Sequence, residues 1–108
     1  MSAANYQVNN TTYTNIFGSN GILSTFTLDG IEYTFEDGDT FTFMEGFYEN
    51  VKIIVDRSVN IIADNNVKLV GETEIDIIHI LGSSVNTVVS GFTVNGSIRV
   101  DANNATIK

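Results

Sequence analysis

The densest set of groups able to do chemistry is Glu72-Thr73-Glu74-Ile75-Asp76. Calcium favours several oxygen ligands, and carboxylates supply them. If Ile75 points into a core, Glu74 and Asp76 share the opposite, outer face. Against a metal site, the chain has no repeated aspartate column, no calcium nonapeptide and no EF-hand pattern. The run is read as a solvated loop, and no metal, cofactor or catalytic residue is assigned. His79 is the only histidine. Alone it lacks the partner ligands of a zinc site and the serine and carboxylate of a hydrolytic triad. Between Ile78 and Ile80 it is expected to face outward. Glycan acceptor triplets start at Asn10, Asn95 and Asn104, which are candidate glycosylation sites if the chain is exported.

A repeat positions these residues. Val51-Lys52-Ile53, Ile75-Asp76-Ile77 and Ile98-Arg99-Val100 form one apolar–polar–apolar column, with steps 75 − 51 = 24 and 98 − 75 = 23. A second column runs Val59-Asn60-Ile61, Val85-Asn86-Thr87, Ala105-Thr106-Ile107. A third aligns Val67-Lys68-Leu69-Val70-Gly71 with Phe92-Thr93-Val94-Asn95-Gly96 and reaches back to Phe41-Thr42-Phe43. A fixed period of this size is a solenoid signature. Pairing of each strand with its equivalent one coil later makes the sheets parallel, with a rise of about 4.8 Å per coil. Val51, Ile53, Val59, Ile61, Val67 and Leu69 then point inward, and Lys52, Asn60 and Lys68 outward. The corners at Asp64-Asn65-Asn66, Gly82-Ser83-Ser84, Asn95-Gly96-Ser97 and Asn103-Asn104 suit left-handed backbone. The rival is an ordinary β-sandwich, and three aligned columns favour the coil.

Composition sets further bounds. The chain has 108 residues, which is one domain, and 43% hydrophobic residues, enough for a core. It has no cysteine, so disulfides and thiolate zinc sites are excluded. Net charge is −8, and no lysine or arginine precedes Lys52. Asp29, Glu32, Glu36, Asp37, Asp39, Glu45 and Glu49 make that part anionic, which opposes nucleic acid and anionic membranes. Met1-Ser2-Ala3-Ala4 is not a signal peptide, and no run spans a bilayer. The last residues read as a strand of the third coil, so an N-terminal piece of a longer protein is expected.

The first 35 residues are expected to cap the coil, and residues 36–108 to form it. Tyr13, Ile16 and Phe17 have i, i+3, i+4 spacing, which predicts a short helix capped near Asn10, Thr11 or Thr12 and ended by Gly18. Ile22–Leu28 and Ile31–Phe35 flank Asp29-Gly30, which predicts a hairpin. Glu36-Asp37-Gly38-Asp39 reads as a turn, and Gly46-Phe47-Tyr48-Glu49-Asn50 as another. The outer faces are expected to carry Thr42, Asn60, Asn86, Thr87, Thr93 and Thr106, with asparagines bonded along the stack.

Asp37-Gly38-Asp39-Thr40-Phe41-Thr42-Phe43, Glu45-Gly46-Phe47-Tyr48-Glu49-Asn50-Val51 and Ser58-Val59-Asn60-Ile61-Ile62 resemble the opening of pectate-lyase-like right-handed parallel β-helix proteins. More narrowly, Thr12-Tyr13-Thr14-Asn15-Ile16-Phe17 with Asn20-Gly21, and the run from Ile78 to Val94, are similar to adhesin-like surface proteins of methanogenic archaea. The motifs are degenerate and mostly structural. The resemblance covers the chain from about Tyr13 onward. It implies an extracellular, cell-surface location and attachment to host or microbial surfaces. Some relatives of that fold cleave acidic polysaccharides, using calcium and a basic residue, for which Arg57 or Arg99 stands here.

The combined expectation is an all-β chain: a single-stranded right-handed parallel β-helix of about three coils with an N-terminal capping helix and hairpin. Its expected role is non-catalytic, to cap and start the β-helix of an adhesin-like surface protein. The expected partners are cell-surface glycans or a host surface, with no nucleic acid and no membrane insertion. Open edges at the C-terminal end, with Ile98, Val100 and Ile107 uncovered, predict self-association. The alternatives are a fragment of a polysaccharide-degrading β-helix enzyme and a purely structural stalk.

Overall fold

The computed structural model describes residues 4–72, 74–83 and 86–108. The strands in chain order are β1 (Asn5–Val8), β2 (Phe17–Gly18), β3 (Gly21–Ile22), β4 (Thr25–Leu28), β5 (Ile31–Thr34), β6 (Thr40–Phe43), β7 (Gly46–Tyr48) and β8 (Ile53–Val55). They continue as β9 (Asn60–Ala63), β10 (Val67–Val70), β11 (Ile78–Ile80), β12 (Val88–Ser90), β13 (Thr93–Asn95), β14 (Ile98–Val100) and β15 (Thr106–Ile107). Three parallel sheets take the orders β1-β6-β9-β12-β15, β7-β10-β13 and β8-β11-β14. Successive strands thus visit the three sheets in turn, and each pairs with its equivalent one coil on. The chain is all-β with parallel sheets, compatible with a β-helix-like fold.

Short alternating strands give this result because each can bury only one row of side chains. Val51, Ile53, Val59, Ile61, Val67 and Leu69 are all buried, while Lys52 and Lys68 are exposed and Asn60 half-buried. The corners turn through left-handed residues at Asn50, Asn66, Asn86 and Asn104, where an asparagine tolerates positive φ.

The registers differ in part from the sequence columns. Leu69 pairs with Val94, as the third column has it. Its preceding member is Tyr48, not Phe43. Gly46–Tyr48 is therefore a strand rather than a turn, and Tyr48 lies in the core. Phe41 pairs instead with Ile61, in another sheet, between β1 and β9. The first column starts later: Ile53 pairs with Ile78, and Ile78 with Ile98, giving steps 78 − 53 = 25 and 98 − 78 = 20. Val51 and Ile77 are buried at the corners before those strands, so an inward side chain alone misplaces the strand start. In the second column Asn60 pairs with Val88, and Val88 with Thr106. That is a slip of two residues, which preserves which face points inward. Val85 lies outside the described residues.

The expected capping helix is absent from the described residues. Residues 5–8 are a strand paired in parallel with β6. Only one 3-10 turn follows, at Tyr13–Asn15. The Asn9 carboxamide oxygen accepts from the backbone N–H groups of Thr11 and Thr12. This closes a local turn that competes with a helix. The few residues left before Phe17 cannot repay helix nucleation.

Two hairpins cover the core at the N-terminal end. Strands β4 and β5 pair around Asp29-Gly30, both with positive φ, as expected. Strands β2 and β3 form a smaller hairpin packed on β8. Rings join the cap to the coils: Phe41 touches Tyr6, Phe17, Phe26 and Phe35, and Phe43 touches Tyr13, Phe17, Tyr48 and Phe92.

Tyr48 gives an alkaline signature. Its Oη donates to the Met44 carbonyl at 2.7 Å, and burial, then the nearby Tyr13, push its pKa up to about 12. The fold therefore favours the protonated phenol. That contribution is full below about pH 10 and is lost as pH rises through the folded value. Tyr48→Phe is expected to cost about 1 kcal/mol at pH 7. It should also flatten the loss of stability above pH 10, read by urea unfolding across that range.

Candidate functional site

Among its described residues, the acidic run does not gather into a metal cage. Ile75 is 37% exposed, so it does not point into the core as the first column required. The inward pair is Ile77 and Ile78, both buried. Glu74 has a φ of 66°, which turns the chain sharply and separates its carboxylate from the strand pattern. The Asp76 carboxylate accepts from the Ser97 hydroxyl one coil later. Thr73 lies outside the described residues. Among the described residues, no three of His, Cys, Asp and Glu are grouped to hold a metal ion. Glu72, Glu74 and Ile75 instead line a shallow concavity with Asn95, Gly96 and Ser97.

Of the two arginines singled out as possible bases, Arg57 lies against the fold and Arg99 is exposed. The Arg57 guanidinium donates to the Ser24 hydroxyl at 2.9 Å and sits over the Phe35 ring. Arg99 Nε lies 3.2 Å from the Asp101 carboxylate. His79 faces away from the core and is half-buried, with its Nε2 2.7 Å from the same carboxylate. A carboxylate only accepts, so Nε2 carries the proton there. The hydrogen bond from His79, and then the charge of Arg99, hold the Asp101 carboxyl below its usual range. Its contribution is present above the ordinary carboxylate pKa and is lost as pH falls through the lowered one. Asp101→Asn should flatten the acid limb of the stability profile below about pH 4, read by unfolding in buffers of stepped pH.

The polar ladder is only partly outward. Thr93 and Asn86 are exposed, and Thr42, Asn60 and Thr106 half-exposed. Thr87 is the exception to the expected ladder: it is fully buried, and its hydroxyl donates to the Arg57 carbonyl. That bond lets a threonine occupy an inward position at small cost. Asn60 donates to the Gly38 carbonyl and the Thr40 hydroxyl, and Thr42 donates to the Asn5 carboxamide oxygen. Asn10, Asn95 and Asn104 are all exposed. The Asn10 amide also donates to the Phe47 carbonyl at 3.3 Å.

Two carboxylates, not singled out by the sequence, organise the N-terminal end. Asp39 is only 1% exposed. Its two oxygens accept from the Ala4 N–H at 2.8 Å and the Glu36 N–H at 3.0 Å. It thereby ties β1 to the turn before β6. The signal lay in its place as the last residue before a strand, where a carboxylate can close a turn. The half-buried Asp56 carboxylate accepts from the Ile22 N–H at 2.9 Å and ties β3 to the end of β8. Its partner is 34 residues away, so no local pattern marks it.

Beside β1 lies a surface concavity of about 420 Å³, lined by Asn5, Tyr6, Gln7, Leu28, Asp29 and Tyr33. The rings of Tyr6 and Tyr33 meet edge to face, 5.0 Å apart. Burial, then the charge of Asp39, raise the Tyr6 phenol pKa. The concavity is bounded by the free edge of β1 and the tip of the β4–β5 hairpin.

At the opposite end, β13, β14 and β15 are the last strands of their sheets. Val100 is 40% and Ile107 44% exposed there, while Ile98 is partly covered. No described helix is long and apolar enough to cross a membrane. Comparison with protein-family models, with curated proteins and with solved structures gives no match.

Proposed function

We propose that this chain is the non-catalytic capping segment of an extracellular, adhesin-like cell-surface protein, and that it starts a right-handed parallel β-helix used in surface attachment. The observation that carries this reading is the cap on the N-terminal coil. Two hairpins and an aromatic layer cover the core there and leave only the edge of β1, while β13, β14 and β15 are the last strands of their sheets. A covered first coil suits a capping role, since the terminal unit of a solenoid needs an atypical covering. The motif resemblance to adhesin-like proteins supplies the extracellular setting, and the exposed Asn10, Asn95 and Asn104 suit glycosylation there.

The test is binding of the chain to a panel of cell-surface and plant polysaccharides, with and without calcium. Retention of one glycan class, with no cleavage, supports attachment. A calcium-dependent release of unsaturated sugar would sink the non-catalytic reading. The same open end predicts self-association of the chain through β13, β14 and β15. Sedimentation velocity over a wide concentration range should show it. A strictly monomeric chain throughout would count against an adhesive open end.

A further inference from the structure

We propose that the concavity beside β1 binds an extended cationic peptide, which adds as a strand to the free edge of β1. This goes beyond the attachment reading and does not depend on it.

The backbone sets the site. Thr40 N–H donates to the Ala4 carbonyl, and Met44 N–H to the Val8 carbonyl. In a parallel ladder the bonding residues alternate. Ala4, Tyr6 and Val8 therefore turn their backbone groups to β6, and Asn5 and Gln7 turn theirs to the other side. Among the described residues no strand lies on that side, because β1 ends its five-stranded sheet. The other two sheets are covered at this end. The Asn10 amide sits on the Phe47 carbonyl of β7, and the β2–β3 hairpin packs on β8. Exposed edges are usually blunted by lysine, proline or a bulge. β1 reads Asn-Tyr-Gln-Val, carries none of these charges or prolines, and pairs with β6 residue for residue.

The concavity makes this edge a groove. A strand laid along Asn5–Gln7 would have the hairpin tip at Leu28 and Asp29 on its far side, with Tyr33 beside it. Two backbone donors and two acceptors, from Asn5 and Gln7, would give main-chain recognition of any sequence. Charge selects among sequences. Every charged residue before Lys52 is acidic, and Asp29 lines the groove itself. A lysine or arginine on the added strand can pair with Asp29 and lie against the Tyr33 ring. An acidic strand would be repelled.

The test uses the whole chain and a fluorescein-labelled hexapeptide of alternating lysine and valine, followed by anisotropy. Saturable binding that weakens with salt is expected. An alternating glutamate–valine peptide should bind at least tenfold more weakly. So should the lysine peptide N-methylated at alternate residues, which keeps its charge but loses its edge donors. Gln7→Pro removes one outward N–H and leaves the bonds to β6 in place, so it should weaken binding at least tenfold. Asp29→Asn should weaken it several-fold. Thermal unfolding of Gln7→Pro checks that the fold survives, and Asn5→Pro serves if it does not. Equal binding of the methylated peptide, or of the proline variant, would overturn strand addition. So would no binding at millimolar peptide, or self-association through this edge that Gln7→Pro abolishes. Displacement of the peptide by a neutral oligosaccharide, with the methylated peptide binding normally, would reassign the groove to sugars.

Discussion

Asp39→Ala is expected to lower the stability of the chain by about 3 kcal/mol at pH 7, as two half-buried N–H groups lose a charged acceptor. Ala4 N–H and Glu36 N–H both end on this one carboxylate. Bonds to a charged acceptor contribute roughly 1.5–3 kcal/mol each, so the pair could reach about 6. Two terms reduce that figure. The carboxylate is itself costly to bury. It also lies close in sequence to Glu36 and Asp37, so its removal relieves some repulsion. The hydrogen bonds still win, because alanine leaves both half-buried donors without their charged acceptor. Asp39→Asn keeps one acceptor but turns an amide N–H₂ toward a donor, and about 1–2 kcal/mol is expected. Urea unfolding checks both. For alanine the midpoint should fall by about 1–3 M, given the usual slopes. Hydrogen exchange should show β1 opening first, since Asp39 is what ties its start to β6. An unchanged midpoint would mean that water replaces the carboxylate, and that β1 is held by its ladder and by Tyr6 alone.

Why Asp39 escaped the sequence reading is a matter of range. The inward and outward positions of Val59, Ile61, Val67 and Leu69 follow from a two-residue alternation, which any strand obeys. The Asp29-Gly30 hairpin follows from two adjacent residues that accept positive φ. Such rules are local, and the structure agrees with them. The register is not local. Phe41-Thr42-Phe43 matches Val67-Lys68-Leu69 and Val59-Asn60-Ile61 equally well as a pattern. The choice falls to Ile61 because Gly46-Phe47-Tyr48 fills the other sheet and buries Tyr48. A glycine followed by two aromatics reads as a turn when taken alone. The helix fails for the converse reason: Tyr13, Ile16 and Phe17 do pack inward together, but from a single 3-10 turn and a strand.

The candidate sites show the same division. The acidic run at Glu72–Asp76 is visible as composition, but its geometry depends on the left-handed Glu74 and on a slipped first column. The groove beside β1 is invisible in sequence. It exists because a segment read as a helical cap is a strand, with one edge paired and the other free. Asn5, Gln7 and Asp29 have no shared motif, and only the hairpin brings them together.

Gly71 and Gly96 illustrate how a corner can be specified by what is missing. Both follow third-column strands, and the side chain of buried Ile77 lies against both. A Cβ at Gly71 would stand 2.5 Å from Ile77 Cγ1, and one at Gly96 would stand 2.6 Å from Ile77 Cδ1. Gly96 also has a φ of 151°, so a substitution there mixes backbone strain with packing. Gly71 is the cleaner position, because it is not among the positive-φ glycines. Alanine at a permissive backbone site usually stabilises by about 0.4–1 kcal/mol through the unfolded chain. Here the clash is larger, and Gly71→Ala is expected to destabilise by about 1–3 kcal/mol. Ile77→Ala should cost about 2–5 kcal/mol, through lost burial and the void it leaves. The decisive quantity is their sum. In the double variant the new methyl meets empty space where Ile77 Cγ1 was, so the clash is relieved and the void partly filled. A remaining 3.3 Å contact with the Val51 carbonyl keeps some of the cost. The double variant should therefore be less destabilised than the sum of the singles, by about 1–2 kcal/mol. Urea unfolding of the four proteins measures that coupling. Additive losses would show that the corner moves to admit a methyl, and that the glycine is held there by the chain's turn rather than by Ile77.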